Sequence, residues 1–159
     1  VFKIMKPALS VDNITLDKQI FITVSAAIIN VFFILIYALN NLSGFDKILM
    51  FMMYLFNTMT MYFLEVKDVE FLNIMHMCMV FCFMLTIFID NIYYIFLMVL
   101  VLIQIQLMWV KYGRCILFND KEGWGFGLAP HIGATTYTAF LSYKIGIKSN
   151  INHLKSTHI

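Results

Sequence analysis

Between residues 20 and 110 lie four apolar runs, 20–39, 48–64, 71–89 and 92–110, and none of them contains an Asp, Glu, Lys or Arg. Short polar breaks separate them. At 1.5 Å per residue each run matches the roughly 30 Å hydrocarbon core of a bilayer, so each is predicted to be a membrane-spanning helix. The composition agrees: 62% of the residues are hydrophobic and 13% charged, against about 25% charged in a soluble domain. The apolar residues cover every side of these runs and do not form a single stripe, as they would in a helix with one wet face. The predicted architecture is an all-α membrane protein. It has a polar segment at 1–19, a four-helix transmembrane domain at 20–110 folded as two hairpins, and a tail at 111–159. The first 19 residues show no short apolar core followed by a small-residue cleavage pattern, so 20–39 is expected to remain as the first span.

Charge sets the expected topology. With four spans, the N-terminal segment, the loop at 65–70 and the tail share one side. The loop at 40–47 and the Asp90-Asn91 turn fall on the other. Ten of the eleven Lys and Arg residues lie on the first side and only Lys47 on the second. The excess of positive charge on inner loops places both termini on the inner side. Tyr37, Tyr93 and Tyr94 are expected at the outer boundary, and Tyr62, Trp109 and Tyr112 at the inner one, where amphipathic rings settle. A single helix running from 71 to 110 would be about 60 Å long, twice the hydrocarbon thickness. A hairpin broken at Asp90-Asn91 is therefore favoured.

Polar residues inside the spans are few. Folding each pair of spans about its turn brings Asn30 level with Asn57, and His76 level with the pair Gln104 and Gln106. An amide without a partner is costly in hydrocarbon, so these five side chains are expected to bond across helices. The competing expectation is a quinone, lipid or cofactor pocket around His76 and Gln104. A haem bound through two histidines of the spans is excluded, because His76 is the only one there. Cys78 and Cys82 share a helix face, but His76 and Cys78 point nearly opposite ways, which defeats a three-ligand metal site on one helix. The three cysteines imply no disulfide framework. The methionines of 49–61 have no fixed spacing and are expected to fill packing gaps. Glu65, Lys67, Asp68 and Glu70 crowd the second loop and are expected to serve in part as helix-end charges. No catalytic constellation, cofactor site or metal site is predicted.

The tail departs from this pattern. It opens with a charged stretch and continues through Gly123-Trp124-Gly125-Phe126-Gly127, an alternation suited to an extended backbone lying close to another surface. Over about 134–147, Tyr137, Phe140, Leu141, Lys144 and Ile145 fall on one helical stripe. This predicts an amphipathic helix lying in the inner interface; a fifth span is the alternative. Trp124, Phe126, Tyr137, Phe140 and Tyr143 are the expected partner-contact residues.

Residues with AT-rich codons dominate, with Phe 16 and Met 12 against Gly 7 and Pro 2, and ten lysines accompany the single Arg114. Such a bias suits a mitochondrial genome, an AT-rich protist nucleus, an endosymbiont or a large DNA virus. Charge-free spans disfavour pumps and ion-coupled carriers, which need ionisable groups at depth. A net charge of +2 without a dense basic run disfavours nucleic acid. The sequence thus predicts a non-enzymatic accessory subunit of a large membrane complex, in the mitochondrial inner membrane. Its expected partners are other membrane subunits and lipid, with no small-molecule substrate. The internal membrane of a large virus particle is the first alternative. The second is a small membrane enzyme, cofactor carrier or transporter working through the polar cluster around His76.

Overall fold

The computed structural model describes residues 15–112 and 129–157. Among them every regular element is helical: α1 (Leu16–Leu39), α2 (Gly44–Glu65), α3 (Val69–Leu85), a 3₁₀ turn at Thr86–Phe88, α4 (Ile92–Tyr112) and α5 (Ala129–Thr157). Leu16–Leu39, Gly44–Glu65 and the run Val69–Phe88 are long and apolar enough to cross a membrane, and Ile92–Met108 is a shorter apolar helix. The protein is an integral membrane protein. The backbone breaks between Phe88 and Ile92, so 71–110 is not one continuous helix.

Helix ends explain why the elements outrun the apolar runs that mark them. Ser43 caps α2 by accepting the Asp46 N–H at 3.1 Å, so α2 begins at Gly44 and not at 48. Asp68 caps α3 in the same way through the Phe71 N–H at 3.2 Å. Where the start of α1 meets the end of α2, Gln19 Nε2 donates to Glu65 Oε2 at 3.1 Å. Two of the four charged residues of the second loop, Glu65 and Asp68, are thereby occupied at helix ends.

Neighbours in space follow the order α3, α2, α1, α4, α5. α1 packs along α2 and α2 along α3, as the first hairpin requires. The second hairpin needs correcting: α3 and α4 do not pack along each other. α5 packs lengthwise on α4 and returns to the end of α3, closing the ring. The tail helix is also corrected. It runs over Ala129–Thr157, not 134–147, and its lysines touch Ile87, Ile89 and Asp90. The tail's stripe divides as well: Leu141 is fully buried, while Phe140 is 47% exposed.

The main core gathers Phe33, Leu49, Met50, Cys82, Tyr94 and Met98 toward the Asp46 end, and Leu64 with Leu72 forms a smaller cluster at the other. Tyr94 is a further correction. It is not a boundary anchor but is fully buried, edge-on to Phe33 with ring centroids 6.0 Å apart.

The α2–α3 turn holds a strained residue. Lys67 has φ 55°, the left-handed region, while the Asp68 N–H reaches back to the Phe63 carbonyl at 3.0 Å to close α2. That position favours glycine, and a side chain there costs about 1–2 kcal/mol. Lys67→Gly should therefore raise the free energy of unfolding in detergent by about 1 kcal/mol, and Lys67→Val should lower it.

Candidate functional site

Two polar centres organise the bundle. The first lies at mid-depth between α1 and α2. Asn57 Nδ2 donates to Asn30 Oδ1 at 2.8 Å and to the Ala26 carbonyl at 2.9 Å. Asn30 Nδ2 donates to Thr58 Oγ1 at 3.0 Å, and that hydroxyl passes its own proton to the Tyr54 carbonyl at 2.9 Å. Asn30 and Asn57 are both buried. The chain of bonds ends on the Tyr54 carbonyl, within α2 itself. Thr60 closes in the same way on the Phe56 carbonyl at 2.8 Å.

The second centre lies at the α3–α4 turn and is built around Asp46, which is 1% exposed. Its Oδ1 accepts the Asp90 N–H at 3.1 Å and its Oδ2 the Asn91 N–H at 3.0 Å. Asn91 then caps α4, its Oδ1 accepting the Tyr94 N–H at 3.0 Å. A carboxylate is well placed at a helix N-terminus, where exposed N–H groups carry partial positive charge. Asp46 thus fixes the first turn of α2, the α3–α4 turn and the start of α4 as one unit.

α5 completes this centre from the other side. Lys144 Nζ donates to the carbonyls of Ile87 at 2.5 Å and Ile89 at 2.6 Å. Lys148 Nζ donates to the Asp90 carbonyl at 2.5 Å and to Asp90 Oδ1 at 2.9 Å. These carbonyls lie where α3 unwinds through its 3₁₀ turn and can no longer bond within the helix. Ammonium groups near a helix C-terminus are favourable for the same reason in reverse. Tyr137 Oη lies 2.8 Å from the Phe83 carbonyl and 2.6 Å from Thr86 Oγ1. An open depression of about 510 Å³ beside the turn is lined by Asn41, Ser43, Asp46, Asp90, Asn91, Ile92 and Lys148. Its exposed acid, Asp90, and its lysine are already bonded to each other.

The other residues singled out by sequence fall as follows. Gln106 Nε2 donates to Thr138 Oγ1 of α5 at 2.9 Å. His76 of α3 and Gln104 of α4 are both half-buried. Tyr137 stacks on Phe140 with centroids 6.4 Å apart, and Tyr143 is exposed. Trp124 and Phe126 lie outside the described residues. Cys78 is partly exposed and Cys82 buried, both as free thiols. Among the described residues no three His, Cys, Asp or Glu side chains gather where they could hold a metal ion.

Sequence reasoning passed over Asp46, Thr58, Thr86, Thr138, Lys144 and Lys148 as bonding partners. Asp46 did carry a signal: Ser43-Gly44-Phe45-Asp46 has the spacing of a capping box. The carboxylate leaves that box and turns to the neighbouring loop. No family model matches the chain, and no curated protein and no solved structure is similar to it.

Two outcomes test these centres. Asp46→Ala strands two partly buried N–H donors and should destabilise the protein by about 2–4 kcal/mol. Asn57→Ala should cost only about 1 kcal/mol, as single interhelical bonds in membranes do; unfolding in mixed micelles compares the two. The Lys148 ammonium, by hydrogen bond and by charge, holds the Asp90 carboxyl below its ordinary value of 3.8. A carboxyl lowered on folding stabilises above its unfolded value and loses that contribution as pH falls through the folded one. Asp90 is 77% exposed, so water screens the pair, and its loss should loosen the end of α5 without unfolding the bundle. A spin label at Ser149 should become more mobile as the pH falls below 3.8, and Asp90→Asn should remove that dependence.

Proposed function

We propose that this protein is a non-catalytic accessory subunit of a large multisubunit membrane complex, and that its host is an energy-transducing complex of the mitochondrial inner membrane. The observation that carries this reading is how the polar and apolar groups are divided. The described polar centres of α1–α4 are bonded inward, while large apolar side chains cover the outside. On α1 alone Val24, Ile28, Val31, Ile34 and Leu35 face outward. A surface of this kind offers contact area and shape. The described apolar runs of α1–α4 carry no Asp, Glu, Lys or Arg that could hold a charged substrate at depth.

In this reading α1–α4 all cross the membrane. The N-terminal end of α1 and the α2–α3 turn lie on the inner side, and the α1–α2 and α3–α4 turns on the outer side. The lysine distribution supports that orientation, with Lys18 and Lys67 at inner ends and Lys47 alone at an outer one. The mitochondrial host rests on the AT-rich codon signature together with an apolar surface suited to neighbouring subunits.

Purification from the native membrane in mild detergent, followed by mass spectrometry, tests the reading. The expected result is a stoichiometric set of energy-transducing membrane subunits. Recovery with capsid proteins would replace the host by a virus particle, and recovery of the chain alone would contradict the subunit role.

A further inference from the structure

We propose that α5 crosses the membrane as a fifth embedded helix, delivering its own C-terminal end to the face opposite the N-terminal end of α1. The inference rests on the reading of α1–α4 as spans and adds a crossing to it. Three observations carry it.

The first is depth. α5 packs lengthwise on α4, and its contacts track the other helices from mid-span to the turn. Thr138 meets Gln106, and Lys148 meets Asp90. From Gln106 to the start of α4 at Ile92 is about 21 Å of helix, the larger part of a hydrocarbon core of about 30 Å. Only a helix running across the bilayer can touch both points.

The second is charge. Residues 132–143 contain no Asp, Glu, Lys, Arg or His, a stretch of about 18 Å in a helix. Lys144 and Lys148 follow at once, and both ammonium groups end on the carbonyls of the outer turn. Their aliphatic stems lie along the bundle while the charged ends reach the boundary, as lysines near the ends of spans do. Moving Lys144, Lys148 and Lys155 outside leaves seven Lys and Arg residues inside against four outside. The inner excess that orients the chain survives.

The third is polarity. α5 is richer in hydroxyls than the other helices and is not apolar enough to insert by itself. The polar atoms on its docked side are matched within the bundle. Thr138 donates to the Ala134 carbonyl at 2.7 Å while accepting from Gln106, Ser142 donates to the Thr138 carbonyl at 2.9 Å, and Tyr137 meets Phe83 and Thr86. Leu141, between them, is fully buried in the main core. Insertion therefore depends on a groove that α4 and the end of α3 already present. This explains how a helix of modest hydropathy can occupy hydrocarbon.

Single-cysteine labelling with a membrane-impermeant maleimide in sealed vesicles tests the proposal. Cys115→Ser is the background, and it must remain unlabelled because Cys78 and Cys82 lie within α3. Asn41→Cys, Glu70→Cys and Ser149→Cys are then added one at a time, all at exposed positions. The expected result is that Asn41→Cys and Ser149→Cys react from one side of the membrane and Glu70→Cys from the other. Reaction of Ser149→Cys on the same side as Glu70→Cys would overturn the fifth crossing and leave four spans standing. Reaction of Asn41→Cys and Glu70→Cys from the same side would remove α2 as a span, and the proposal with it.

Discussion

A polar group in hydrocarbon must find its partner inside the protein, because no water is available to supply one. This single constraint accounts for most of what joins the helices here. Asn30 and Asn57 satisfy it across α1 and α2, Asp46 satisfies it across α2 and the α3–α4 turn, and Gln106 with Tyr137 satisfies it across α5. Residues 45–112 carry bulky Phe, Met, Ile and Leu and no glycine or alanine, so the close helix crossings that small residues allow are missing there. Side-chain packing alone leaves such helices free to slide. The polar contacts remove that freedom at a few depths.

The two centres differ in strength for physical reasons. The asparagine pair is neutral, and each amide keeps alternative partners along its own helix, so its loss is partly absorbed. Asp46 is charged, nearly inaccessible to water and bonded to two N–H groups that have no ladder partner in the turn. Charge-assisted bonds of this kind are roughly twice as strong as neutral ones. The geometry of the α3–α4 turn, and with it the carbonyls that Lys144 and Lys148 cap, depends on this carboxylate. The docking of α5 is in that sense conditional on a residue of α2 that α5 does not need to touch.

How much of this was legible in the sequence depended on whether a single helix or a neighbour decides the outcome. The long apolar helices could be read directly, because hydrocarbon thickness and charge exclusion act on each run separately. The depth of Asn30 relative to Asn57 could also be read, since α1 and α2 are adjacent and joined by a short turn. Depth matching did not foresee Thr138 of α5 as the partner of Gln106. It assumed that α3 and α4 touch along their length, whereas α5 bonds Gln106 and closes against the end of α3. The stripe of Tyr137, Leu141, Lys144 and Ile145 fits a lipid interface and a docked helix equally well, and only the position of the Asp90 turn separates the two. The role of Asp46 was not legible because a sequence does not tell which loop lies opposite a cap. Tyr94 looked like a boundary ring for the same reason, until Phe33 was placed against it.

The central claim is that Asp46 holds the α3–α4 turn and so completes the bundle. Hydrogen exchange of the Asp90 and Asn91 amides, measured with the protein in lipid nanodiscs, tests it most directly. Both amides lie outside any helix, so only the Asp46 carboxylate can slow them. The account predicts exchange as slow as that of the first turns of α4, and rapid exchange in Asp46→Ala. Exchange at the rate of an open loop in the unmodified protein would contradict it.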